Sequence, residues 1–593
     1  MKKKADIPGL LFFLILFMIS LGLTFLLHDN RDNLTWKGVI WADGAGYYIY
    51  LPSLFFADFE ADKLPENIAE KTGNAFHLNK EQNTIQTKYF YGVSTLLSPF
   101  FISAHGIAKA LNISEDKGFS PIYHRMIDVA AVVYLILGLL ILKQVLREFF
   151  RPLIQYIVLL LVFTGTNLFY YSMIATSMSH IYSFFVFSLY LLALLRFMAT
   201  RRWKWFLLLS VSFSLAVIIR PINGIILLLF FLWNVQTGQA LFTRFSIFMK
   251  PKYLLTFLIC LLIVVFPQML YWKYGFGSFL VYSYDHEGFT NWRHPFLLEV
   301  WFAPKNGLFL NTPLAILMIL GMGAMILKKI RNGWQFLFLF LLVSYLCASW
   351  YSWYFGCGFG HRCFIEYYAV FSIPLGFLLQ SAWNHTRWIG KFAGGIVLLV
   401  IVYINILSSW YYTMCFKADT WDFRTYLVNL TKASILPDDL IHLYRTLDKV
   451  TITYEPSDDR SYFFITDSVY HSYSHCAVFN PSIEFCGGVI KAAKDFDLAF
   501  PTQILVNSWV LNPGDSLTGA VIVCSVEKEG RSIIWQSFEI DPVLREMGKW
   551  NEITTTFTLP EWYDTDSYIK VYCWNKHRTT FFLDDMTVKF CVN

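Results

Sequence analysis

One carboxylate, Asp43, stands in the run WADGAGYYIYLPSLFF (41–56), beside two glycines and ahead of three tyrosines. A carboxylate in such a place can accept the proton of an incoming hydroxyl. Gly44 and Gly46 would let a backbone come close to a phosphate. Tyr47 and Tyr48, with Tyr50, can stack on sugar faces and hydrogen-bond their hydroxyls. The plainer alternative is an Asp in a turn, followed by tyrosines that anchor the chain at a membrane surface. Other isolated polar groups punctuate apolar sequence further on. Lys88 opens Lys-Tyr-Phe-Tyr-Gly, Arg220 opens Arg-Pro-Ile-Asn, His180 closes Ser-Met-Ser-His, and Gly-Phe-Gly-His361-Arg362 runs on to Glu366. Arg362 can grip a phosphate through two hydrogen bonds at once, or be neutralised by Glu366 as a buried pair. Lys88 has the ordinary reading of a lysine reaching for the interface, Arg220 that of an interfacial arginine, and His180 that of a satisfied structural histidine. Asp285, His286 and Glu287 could bind a metal or an acceptor, or form a solvated loop; Asp58, Glu60 and Asp62 read as a solvated acidic run.

The elements that must position these groups are membrane helices. Of 593 residues 56% are hydrophobic and only 15% charged, with a mean hydropathy of +0.46. Soluble proteins average about 25% charged, and the apolar residues here fall in long runs, so the chain is polytopic. Charge divides it in two. Residues 1–409 carry 32 Lys+Arg against 18 Asp+Glu, and residues 410–593 carry 16 against 24. The apolar runs stop near 409, so a basic membrane domain (1–409) precedes a connecting segment (410–449) and an acidic soluble domain (450–593).

Orientation follows from the basic clusters. MKKKADIPG precedes an uncleaved first helix at 8–27, which places the N-terminus in the cytoplasm. If 89–111 lies in the interface rather than crossing, then Lys143/Arg147/Arg151 and every later cluster fall inside; Ser, Pro, His and Gly within that stretch suit an interfacial helix. Eleven spans are then expected, at about 8–27, 126–147, 153–171, 175–197, 203–220, 222–236, 253–272, 307–328, 334–352, 364–382 and 388–409. Outer loops fall at 28–125, 273–306 and 353–363, and the C-terminal domain is extracytoplasmic. Chemistry belongs on that outer face, where the loops are long and varied.

The soluble domain reads as an all-β sandwich or jelly roll. QILVNSWVL, LTGAVIVCSV, RSIIWQSFEI, WNEITTTFTL, SYIKVYCW and TTFFLDDMTVKF are strand-like runs between turn residues. Its last ninety or so residues resemble carbohydrate-binding-module sandwiches. Six outer cysteines (415, 476, 486, 524, 573 and 591) allow fifteen pairings or stand as buried thiols. No Cys-x-x-Cys pair suggests zinc.

A basic N-terminus, one helix, and an outer loop with an early Asp in D-G-x-G-Y-Y resemble the GT-C fold of polyprenyl-phosphate-sugar-dependent glycosyltransferases. Protein O-mannosyltransferases and lipid A aminoarabinose transferases belong to that family. The resemblance covers most of 1–409. It implies an inverting transfer of a sugar to an acceptor hydroxyl on the extracytoplasmic face of a bacterial inner (cytoplasmic) membrane. Asp43 matches the family's base or acceptor-orienting residue; Lys88 and Arg220 match groups that hold the donor phosphate, joined by His361 and Arg362. Tyr47, Tyr48, His180 and Glu366 fall to the sugar and acceptor. The expected partners are a polyprenyl-phosphate sugar donor, an acceptor glycan, lipid or protein, and the bilayer, but no nucleic acid. The family often places a second acid beside the first; here that residue is Ala42, so no metal ligands and no cofactor are assigned. Neither a Walker A sequence nor G-x-G-x-x-G at a strand–helix junction occurs, so no nucleotide site is expected. The competing class is a transporter or flippase, or a glycan-assembly protein, with an external glycan-binding domain. Transporters bind near the midplane, with broken helices and often repeats. No internal repeat is evident here.

Overall fold

The computed structural model describes residues 7–28; 38–411 apart from 66, 114–115, 285–286 and 357; and 450–591 apart from 455–464, 467–468, 470, 472–475, 497–502, 515–516, 529–530, 545 and 560–565. The chain divides into two compact units, Met1–Ile435 and Leu436–Asn593. The expected connecting segment 410–449 lies almost wholly outside the described residues, as do Asp285, His286 and Cys415.

The first unit is helical. Among the described residues five helices are long and apolar enough to cross a membrane: Pro8–His28, Pro121–Leu146, Ser179–Thr200, Pro251–Phe276 and Trp388–Ser409. Other expected spans are shorter or interrupted. The run at 153–171 is a helix Pro152–Thr164 that stops at Gly165 and resumes as Leu168–Met173. The run at 307–328 breaks at Thr312-Pro313, where proline ends one helix and starts the next. The run at 222–236 is a six-residue 3-10 turn, Pro221–Ile226, followed by a six-residue helix, Leu227–Leu232. Together these reach about 21 Å, short of a hydrocarbon core of about 30 Å. Length and composition therefore do not carry the count of eleven.

Three features of this unit bring the site together. First, buried His28 bonds through Nδ1 to Asp128 Oδ1 at 2.8 Å, and Thr176 Oγ1 donates to the same oxygen at 2.7 Å. These bonds pin the first helix and the turn before Ser179 to Pro121–Leu146. Second, a small antiparallel hairpin, Phe76–Asn79 with Thr84–Thr87, delivers the chain to Lys88 and Tyr89. Third, the helix Gly92–Ala110 follows, burying Val93, Leu97, Phe101, Ala104 and Ala108 at spacings of three and four. That pattern gives one inward face, with Ile102 and Ile107 exposed on the other side. At its start a Cβ on Gly92 would lie 2.6 Å from the backbone of Ile218 and Ile219. Only glycine permits this approach, and it sets the start of this helix against the segment that ends in Arg220.

The second unit is all-β and antiparallel. One sheet runs, in order, Trp550–Thr558, Gln503–Leu511, Phe581–Cys591, Cys476–Phe479 and Ile465–Thr466, with Val450–Tyr454 also paired to Phe581–Cys591. The other runs Phe485–Ala492, Tyr568–Asn575, Ala520–Lys528, Arg531–Glu539. Ile504, Val506 and Val588 of the first share one core with Ile522, Val526 and Ile569 of the second, which makes a sandwich. Alternation drives it: in Tyr568–Asn575 every second side chain is buried. All six strand-like runs of the sequence are strands. Cys476 and Cys524 are buried thiols with no disulfide, while the Cys486 and Cys591 side chains fall outside the described set.

Candidate active site

Asp43 begins a short helix, Asp43–Tyr48, entered through Ala42 at φ 46°, ψ −132°. This is a conformation that a residue bearing a Cβ rarely adopts. It turns the Asp43 carboxylate toward two partners. Arg362 Nη2 lies 3.0 Å from Oδ2, and the Tyr89 hydroxyl donates to Oδ1 at 2.6 Å. The carboxylate stays 30% exposed, so a reactant can reach it. Burial pushes its pKa up, but the Arg362 guanidinium, the Tyr89 hydroxyl and the Lys88 charge together hold it below the usual carboxylate value.

The partner of Arg362 is thus Asp43 and not Glu366. Glu366 serves Arg220 instead, whose Nη1 donates to Oε1 at 3.0 Å. The other oxygen of Glu366 lies 3.3 Å from His180 Nδ1. All three groups are largely buried, with Glu366 at 1% exposure and Arg220 at 15%. Arg220 Nη2 also donates to Cys363 Sγ at 3.4 Å. Each arginine therefore holds one carboxylate, and the buried Arg362 Nε–H has no hydrogen-bond acceptor. A phosphate oxygen would supply one.

Tyr47 lies among these charges. Its ring is 4.6 Å from that of Tyr89, and burial raises its hydroxyl pKa, with Arg220 opposing and Asp43 assisting. Asp43 and Tyr47 are four apart on one helix face. Tyr48 faces away, packed on Phe101 and Phe119, and donates to the Gly118 carbonyl at 2.5 Å. The glycines of the motif serve packing: a Cβ on Gly46 would meet the Tyr89 ring at 2.1 Å, and one on Gly44 the Ser177 side chain at 2.1 Å. Lys88 sits at the rim, paired with Glu287 at 2.5 Å and lying over the Tyr89 and Tyr284 rings. Its charge reaches Asp43. Asp58 and Glu60 bond Lys63 at the exposed surface, away from this group.

His361 is buried between the rings of Phe355 and Phe364. Burial pushes its pKa down to about 3, the Trp353 backbone opposing and both arginines adding to the fall. It is neutral, so it brings no charge to an anion. Its imidazole groups instead with the thiols of Cys347 and Cys363, all candidate ligand atoms lying within 4.8 Å of one another. Among the described residues no such set surrounds Asp43, whose oxygens meet Arg362 and Tyr89. Sequence reasoning did not single out Tyr89, Cys347 or Cys363. Only the Lys-Tyr-Phe-Tyr-Gly motif pointed near the first of them.

No family model and no curated protein sequence matches the chain. Among solved structures, the archaeal oligosaccharyltransferase AglB from Archaeoglobus fulgidus, in complex with an inhibitory peptide and a dolichol-phosphate, is similar over 68% of this chain and 56% of that one, at 13% identity and a TM-score of 0.40. The arabinosyltransferase EmbB from Mycobacterium smegmatis is similar over 97% of this chain and 64% of that one, at 9% identity and a TM-score of 0.35. The chain spans 56% of the length of AglB and 64% of that of EmbB. Both of these structural neighbours are GT-C glycosyltransferases.

Proposed function

We propose that the protein moves a sugar from a polyprenyl-phosphate-linked donor to an acceptor hydroxyl, with inversion, on the extracytoplasmic face of a membrane. One observation carries this reading. A partly exposed carboxylate, Asp43, and two half-buried arginines, Arg220 and Arg362, gather around Tyr47, with Lys88 at the rim. The donor phosphate would take the free Nε–H of Arg362 and draw that side chain from Asp43. Asp43 then loses its strongest counter-charge, its proton affinity rises, and it accepts the acceptor hydroxyl's proton. The hydroxyl oxygen bonds to the anomeric carbon as the carbon–phosphate-oxygen bond breaks. The electron pair leaves on the lipid phosphate, whose charge Arg362, Arg220 and Lys88 stabilise. The cationic groups converge on one place instead of lining a path, which favours an enzyme over a transporter.

Undecaprenyl phosphate should raise the melting temperature of the detergent-purified protein, and undecaprenol should not. Arg362→Ala should remove the shift. Equal shifts from both lipids would remove the phosphate from the account. The same reading places the second unit outside, because every basic cluster is then cytoplasmic. A periplasm-dependent reporter fused after Asn593 should be active, and activity of a cytoplasm-dependent reporter instead would reverse the assigned face.

A further inference from the structure

We propose that Cys347, His361 and Cys363 form a site for a divalent metal ion of the zinc class, which fastens the outer loop 350–361 to the helix beneath it. Cys347 lies near the end of Gly333–Ser349, while His361 and Cys363 lie across the loop at the turn Arg362–Phe364. Two sulfurs and an imidazole are the ligand types that zinc and its soft neighbours select. Their candidate ligand atoms all lie within 4.8 Å. A tetrahedral zinc needs about 3.5–3.8 Å between such atoms, so closure asks for a movement of about an ångström.

The second observation is the histidine itself. His361 is 1% exposed, and neither ring nitrogen makes a hydrogen bond of normal geometry, the Trp353 backbone being close enough only to act on its charge. Buried polar atoms are nearly always satisfied, and a metal would satisfy one of these. Arg220 Nη2, 3.4 Å from Cys363 Sγ, can donate to a metal-bound thiolate. The loop has a use for a clip: among its described residues Phe355, Gly356, Gly358 and Gly360 all have positive φ, and none lies in a regular helix or strand. Arg362 lies between the two loop ligands, so the metal would fix the guanidinium that meets Asp43. That last role rests on the proposed function, whereas metal binding does not. Chemically the step is simple: the ion replaces one proton on each thiol, two protons leave, and nothing is oxidised.

The test is metal content of the full chain, purified in detergent without reductant. Wild type should carry one zinc per chain by elemental mass spectrometry. Cys347→Ser and His361→Gln should carry background amounts while eluting as the same monodisperse species. Wild type stripped with chelator and reloaded with cobalt should show a thiolate-to-cobalt charge-transfer band, a reading that needs no variant to fold. A cobalt protein without that band overturns the proposal. So does peptide mapping that finds Cys347 and Cys363 joined as a disulfide, or zinc that persists in Cys363→Ser. Failure here leaves sugar transfer standing, and loss of transfer with zinc retained would strike only the function.

Discussion

Asp43→Asn will fold and insert, yet lose sugar transfer by about 10²–10⁴-fold, the range for removing a general base. Asparagine keeps the shape and can still bond Tyr89, but it cannot take the acceptor's proton. Undecaprenyl phosphate binding should survive, because Arg220, Arg362 and Lys88 remain. The readout is label transferred from a lipid-linked donor by purified protein, and near-normal transfer would end the enzymatic reading. The pH profile gives a second measure. Arg362 and Tyr89 hold the Asp43 carboxyl below its usual range against burial. Such a group contributes stability above an unfolded pKa of about 3.9 and loses it as pH falls through the lower folded value. Arg362→Ala removes the largest lowering influence, so the acidic limb of any residual activity should move upward.

The larger effect on the fold will come from Glu366→Leu. It strands Arg220 in a place where the pair is almost wholly buried and takes a partner from His180. Breaking such a pair on one side costs about 3–5 kcal/mol, to be read as a fall in the thermal midpoint of the detergent-purified protein. The double variant Glu366→Leu/Arg220→Met strands no charge on either partner and should recover most of that loss. It should not recover lipid-phosphate binding. If the double variant is as unstable as the single, the pair acts through its packing and not its charge.

Much of this was legible before any coordinates. Six of the ten described strands of the second unit announced themselves as strand-like runs between turn residues, and the helices by long apolar runs; Val450–Tyr454, Ile465–Thr466, Cys476–Phe479 and Phe485–Ala492 did not. Asp43, Arg220, Arg362 and Lys88 were visible as isolated charges in apolar company. Their pairing was not. Arg362 and Glu366 are four apart, the spacing of a helical ion pair, but the chain is in a 3-10 turn at Arg362–Phe364 and the helix begins only at Tyr368. The two carboxylates are thereby shared out differently, through Tyr89 and His180, from sequence-distant segments. Tyr48 failed for a local reason. In a helix, residue i+4 shares the face of residue i and residue i+5 turns from it, so only Tyr47 follows Asp43. The Cys347–His361–Cys363 group follows none of the usual zinc spacings, because the helix-end and loop that assemble it are not contiguous.

The backbone at Ala42 has a historical consequence. A residue at φ 46°, ψ −132° admits glycine readily and asparagine or aspartate with some cost, but resists valine, isoleucine and threonine. Drift at this site is therefore channelled. A single nucleotide change could deliver either the more relaxed glycine or the acidic neighbour that would give Asp43 a companion. A lineage that took the second route would acquire two adjacent carboxylates against one arginine. The cation demand of the pocket would then be open to natural selection without any change in the surrounding helices.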